Sequence, residues 1–89
     1  MNKEKSIKLK RATAAILHER RIIAKLTQEE MAERSGLTRG YISALENERS
    51  SPTVEAIFGL AKAFNLEPKY LLGRIQKRYE DDNAIKTED

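Results

Sequence analysis

Arg39, Gly40, Ser43 and Asn47 follow one another at steps of one, three and four residues, so on a helix they share one face with Ala44. That face carries no large apolar side chain. Its chemistry would be recognition: Arg39 offers a planar fork of N–H donors, Ser43 a hydroxyl and Asn47 an amide, while Gly40 leaves room for a rigid partner to come close. Catalysis is not expected. No phosphate-binding glycine loop and no nucleophile beside a base can be found. The adjacent Glu29 and Glu30 read as first-turn acids favoured by a helix dipole rather than as a catalytic pair. His18 is the only histidine and there is no cysteine, so no metal site is expected and His18 reads as a surface side chain. Neither a cofactor nor a small-molecule ligand is implied.

The elements that must hold this face are legible from caps and apolar spacing. Residues 6–26 contain no Gly or Pro and read as a first helix, with Ala14, Leu17, Arg21 and Ala24 on one stripe. Thr27 with Glu30 forms a capping box for a second helix over 27–35, with Met31 and Ala32 inward and Gly36 as its stop. Thr38 caps a third helix over 38–47, with Ile42 and Leu45 inward. A fourth, over 53–64, places Val54, Ile57, Leu60, Ala61 and Phe64 on one side, and Pro68 suits the first turn of a fifth over 68–79. Nothing alternates with period two. The expected fold class is all-α, five short helices without repeats.

The second and third helices, each about nine residues long and joined by a tight turn at Gly36, make a helix-turn-helix. In that unit the second member enters the DNA major groove with its N-terminal residues leading. Arg39 is then placed to donate two hydrogen bonds to a guanine edge.

The run LTQEEMAERSGLTRGYISALENERSSPTVEAIFGLAKAFNLEPKYLL, within residues 13–73, resembles the XRE family, the helix-turn-helix domains of Cro and the lambda-type phage repressors. The resemblance implies a lambda-repressor-like fold and a sequence-specific regulator of transcription, most simply a repressor, acting on double-stranded DNA. It implies that Gln28 binds a phosphate and braces the recognition helix. It places Thr38, Arg39, Gly40, Ser43 and Ala44 at bases or nearby phosphates, and Tyr41, Asn47 and Arg49 at the sugar-phosphate backbone. Two positions depart from the family pattern: Glu48 and Lys25 stand where glycine is usual.

Charge is divided along the chain. Residues 1–79 hold 16 basic against 9 acidic side chains, a net +7, whereas residues 80–89 hold one Lys against five acids, a net −4. A basic body suits a polyanion partner. The expected organisation is a basic extension of the first helix over 1–12, a helix-turn-helix domain over 13–79, and a flexible acidic tail over 80–89. Without cysteines or an apolar run of the roughly 20 residues a membrane span needs, the expected location is the cytoplasm.

Three further expectations follow. Arg21 and Glu46 each fall on an inward stripe, and a buried charge is tolerated only when paired; the family resemblance has an Arg–Glu pair at these positions. A left-handed residue is expected at Asn47 or Glu48 to end the third helix. One domain reads only a short half-site, so a homodimer on a palindromic operator is expected, with Leu72, Ile75 and Tyr79 as its apolar contact stripe. The competing reading is a protein-interaction module, such as a co-activator or an antitoxin component.

Overall fold

Four side-chain oxygens start four of the helices. Asn2 accepts the Lys5 N–H at 2.8 Å and opens α1 (Lys3–Ile23). Thr27 accepts from Glu30 at 3.0 Å while the Glu30 carboxylate takes the Thr27 N–H at 2.9 Å, the reciprocal box that opens α2 (Gln28–Ser35). Thr38 opens α3 (Arg39–Glu46) through the Tyr41 N–H, and Thr53 opens α4 (Val54–Ala63) through that of Ala56. The last helix, α5 (Pro68–Glu88), begins at the proline. The computed structural model describes residues 1–88, with side-chain surroundings through residue 82; it has no strand among these residues. The basic extension is continuous with α1, which starts at Lys3, and Ala12 within it is already enclosed by the core. At the other end α5 runs on past Tyr79 to Glu88 rather than stopping where the apolar pattern ends. The flexible tail expected there falls largely on residues 83–89, outside those with described side chains.

All four interhelical turns are closed by one device. Lys25, Gly36, Glu48 and Asn65 have φ of 60°, 75°, 64° and 62°. The N–H of the following residue reaches back five positions: Leu26 to Arg21, Leu37 to Ala32, Arg49 to Ala44 and Leu66 to Ala61, at 2.8–3.2 Å. This 6→1 bond satisfies a carbonyl that the helix end leaves without a partner. Of the two candidates at the end of α3, Glu48 is the left-handed residue; Asn47 keeps φ −105°. Lys25 and Glu48 therefore hold a conformation that a Cβ disfavours.

Each helix sends at least one side chain into a single core, with Leu17, Met31, Ile42, Leu45, Leu60 and Leu71 fully enclosed. Three expected placements are corrected, two of them inward and one outward. Ala24 is exposed because it caps the end of α1 rather than extending its stripe, and Val54 is exposed as the first residue of α4. Ile75, expected on a dimer stripe with Leu72 and Tyr79, is only 5% exposed and belongs to the core. The reason is that α5 passes through Gly73 unbroken. Helical periodicity then puts Ile75 four residues after Leu71 on the inward face, and turns Leu72 outward by about 100°.

Gly59 carries a constraint that periodicity does not reveal. A Cβ there would lie 2.5 Å from the Ser35 carbonyl oxygen, so α4 approaches the end of α2 more closely than any side chain allows. Two glycine exchanges should consequently have opposite signs in urea denaturation. Glu48→Gly relieves the left-handed strain and should stabilise the protein by about 1 kcal/mol. Gly59→Ala should destabilise it by about 1–3 kcal/mol, since overpacking against a backbone oxygen outweighs the helix-propensity gain of about 1 kcal/mol.

Candidate nucleic-acid interface

The last residue of α3, Glu46, anchors that helix through a buried carboxylate. Glu46, whose side chain is 5% exposed, takes two parallel hydrogen bonds from Arg21, from Nε to Oε2 at 2.8 Å and from Nη2 to Oε1 at 3.0 Å; the Arg21 side chain is 13% exposed. The remaining arm of the guanidinium, Nη1, donates to the Leu26 carbonyl at 2.9 Å. One side chain of α1 thereby holds both the turn leading into α2 and the last residue of α3. His18 Nδ1 lies 3.0 Å from Glu46 Oε1. The histidine is exposed, as its sequence position suggests, but this contact across 28 residues has no signal in the sequence.

Burial works against the charge on Glu46 more than any other single influence. The bonds from Arg21 and His18, the Arg21 charge and a smaller contribution from the Gln28 amide together outweigh it, and the carboxyl is held below the ordinary glutamate value. Arg21 is raised, mainly by the hydrogen bond to Glu46, against its own burial. Both groups are ionised throughout the neutral range.

Beside this pair, Gln28, Arg39, Gly40 and Ser43 line one open groove of about 320 Å³; Glu46 follows Ser43 by three residues and Arg39 by seven, which sets it at the inner edge of the same face. Gln28 is the first residue of α2 and half-buried, whereas Arg39 and Gly40 open α3 and are exposed. Nothing stands within 4 Å of a Cβ built on Gly40, so no packing within the chain requires glycine there. The Arg39 guanidinium lies 3.8 Å from the carboxylate of Glu29, another exposed side chain.

The other residues expected at the interface have varied settings. Thr38 is exposed at the head of α3, where its hydroxyl oxygen accepts the capping bond while the O–H remains able to donate. Asn47 donates its amide to the Ser43 carbonyl at 2.8 Å and to the Ser43 hydroxyl at 3.3 Å, which fixes it along the helix. Ala44 is half-buried and Arg49 is exposed just beyond the turn. Tyr41 is half-buried, with its hydroxyl donating to the Ser51 carbonyl and accepting from the Thr53 N–H, both at 3.3 Å. Its polar end is thus committed to the α3–α4 loop, and its bulk packs against the core. Sequence reasoning missed Glu29 as a neighbour of Arg39, because the nine residues between them cross a turn whose geometry only the fold supplies.

Comparison with known proteins matches residues 17–71 to a helix-turn-helix family model. The chain is 43% identical over 54 residues to the control protein C.SmaI of Serratia marcescens, covering 61% of this chain and 64% of that one. It is 46% identical over 41 residues to y4dJ, an uncharacterized HTH-type transcriptional regulator of Sinorhizobium fredii, covering 46% of this chain and 53% of that one. The matched stretches thus span between about half and two thirds of these relatives' lengths. Among solved structures, the restriction-modification controller protein C.AhdI of Aeromonas hydrophila superposes with a TM-score of 0.67 at 32% identity, over 70% of this chain and 94% of that chain. The clp gene regulator ClgR of Corynebacterium glutamicum superposes with a TM-score of 0.78 at 25% identity, over 89% and 84% of the respective chains.

The geometry of the Arg21–Glu46 pair determines what its loss should do. Arg21→Met strands a buried carboxylate and Glu46→Leu strands a buried guanidinium, so each should lower stability by about 3 kcal/mol, against the 0–1 kcal/mol of an exposed pair. Because the native carboxyl titrates below its unfolded value, the stabilisation it contributes is complete above an unfolded pKa of about 4.3. It should be lost as the pH falls through the lower native value. Thermal melts from pH 7 to pH 3 should show a steep acid decline that is shallower in Glu46→Gln.

Proposed function

The chain belongs to the helix-turn-helix family, and on that premise we propose that it is a DNA-binding transcriptional regulator that reads double-stranded DNA with α3 in the major groove. The observation that carries this reading is the open polar groove of Gln28, Arg39, Gly40 and Ser43 at the start of α3, a helix whose last residue is tied down by Arg21. Arg39 is the base reader, donating its fork to the N7 and O6 acceptors of a guanine. Gln28 meets a phosphate. Thr38, Ser43, Ala44, Asn47 and Arg49 complete the contact with bases and backbone. Tyr41 contributes by fixing the loop beside α3 rather than by reaching for DNA alone. Gly40 and Ala44 have no side-chain hydrogen bonds to offer, so direct readout rests on few groups and DNA shape supplies part of the specificity. Repression, by covering an operator in the cytoplasm, needs nothing beyond these contacts, and the reading assigns no catalytic role.

Eight residues of α3 rise only about 12 Å, which is enough for one half-site. We place the homodimer contact on the surface formed by Phe58 and Leu72, 58% and 49% exposed, together with the exposed Val54. These residues rim an apolar groove of about 210 Å³ floored by Leu9, Ile57 and Ile75. The surface adjoins the loop that Tyr41 ties to α3. A two-fold axis through it sets the two recognition helices rigidly, with a spacing of about 34 Å required by one DNA turn.

Selection of bound duplexes from a random pool tests the DNA reading. The expected result is a two-fold symmetric site containing guanine, at which Arg39→Ala loses about 1–3 kcal/mol at one base pair per half-site. An equal loss on every duplex would reduce Arg39 to a phosphate contact, and no enrichment at all would leave the protein-interaction module as the better reading. In sedimentation experiments Phe58→Glu combined with Leu72→Glu should give a folded monomer with weakened operator binding. An intact dimer would place the contact elsewhere.

A further inference from the structure

Glu29 is an exposed acid at the candidate reading surface; the dipole of α2 favours an acid in this first turn, but Glu30 already supplies one. The capping box of α2 is completed by Glu30, not Glu29. Among the described residues the polar contact of Glu29 is with Arg39 Nη1, at 3.8 Å. An acid in this position opposes binding to any polyanion, because its charge lies beside a surface that must approach phosphates. Both partners are exposed, so the ion pair contributes no more than about a five-fold factor to any equilibrium. It is therefore strong enough to bias where the guanidinium points and weak enough to be exchanged for a better partner.

We propose that Glu29 is a specificity-determining residue, which holds Arg39 away from phosphates unless a base edge offers the guanidinium two acceptors; this rests on the DNA reading above. At a cognate site, the N7 and O6 of guanine replace the carboxylate with a bidentate, charge-assisted pair. At a non-cognate site no such pair of acceptors is in reach. Arg39 without Glu29 would then swing on its flexible stem to a backbone oxygen and recover binding energy on any sequence. Glu29 makes that alternative less favourable twice over, by competing for the guanidinium and by repelling the phosphate it would reach. Discrimination thus comes partly from a repulsive element built next to the reader. Glutamine at position 29 keeps the size of the side chain and removes its charge. The side chain is exposed and outside the capping box, so folding does not depend on it.

The test is a double-mutant cycle read by fluorescence anisotropy. The probes are the duplex that the unmodified protein selects from a random pool and a scrambled duplex of the same composition, with salt lowered equally for all variants until every complex is measurable. Glu29→Gln should tighten binding to the scrambled duplex about three- to five-fold while changing binding to the selected duplex by less than about two-fold. In an Arg39→Ala background, Glu29→Gln should act equally on both duplexes, because only general repulsion of phosphate remains. Equal tightening on both duplexes with Arg39 present would overturn the proposal, as would a selective effect that persists without Arg39. Weaker binding to the selected duplex alone would also overturn it, by making Glu29 itself a base contact. Failure of the unmodified protein to distinguish the two duplexes is a separate outcome, which removes the DNA reading and the role of Glu29 together.

Discussion

A carboxylate shut away from water at the end of α3 sets the terms for the rest of this small domain. Glu46 cannot stay ionised at 5% exposure without charged and polar partners, and its partners come from other helices. Arg21 reaches from α1 with two parallel bonds and spends its third arm on the Leu26 carbonyl. The orientation of α3, the entry to α2 and the end of α1 become one geometric unit. An apolar replacement of the pair could be as stable. It would lack the directionality that fixes α3 in rotation as well as in place, and the proposed presentation of Arg39, Gly40 and Ser43 to DNA depends on that rotation.

The turns extend the same logic. The ends of α1 to α4 each fold back through a left-handed residue and a 6→1 hydrogen bond, a tight geometry that leaves little slack between elements. Three of the four positions carry a side chain where glycine would relax the backbone. Strain at Lys25 and Glu48 is tolerated because the capped helices and the enclosed core on either side over-determine the path. Gly59 shows the opposite use of glycine: its φ is ordinary, and the missing Cβ is what lets α4 lie against the Ser35 carbonyl.

The face of α3 that points to solvent departs from what would stabilise the free protein. Gly40, in a helix and with open space around its Cα, is less stable than alanine by about 1 kcal/mol. Arg39 sits at a helix start, where the dipole disfavours a cation, and its company is an exposed acid. Such local inconsistencies gather where a surface is shaped for a partner rather than for the fold.

Caps and periodicity by themselves determined that five helices form, roughly where they begin, and which residues line the polar face of the third. The reason is that capping and amphipathicity act within a few residues of sequence. An inward charge on each of two stripes was enough to bring Arg21 and Glu46 into question as a pair. Tertiary structure alone decided the rest, because it depended on rotations and distances between elements. An unbroken α5 turned Ile75 into the core and Leu72 outward. The closeness of α4 to α2 gave Gly59 its role. The packing of α1 on α3 brought His18 to Glu46, and the turn at Gly36 brought Glu29 to Arg39. No spacing in one chain encodes such contacts, since each results from how two helices, separately legible, come to rest against a shared core.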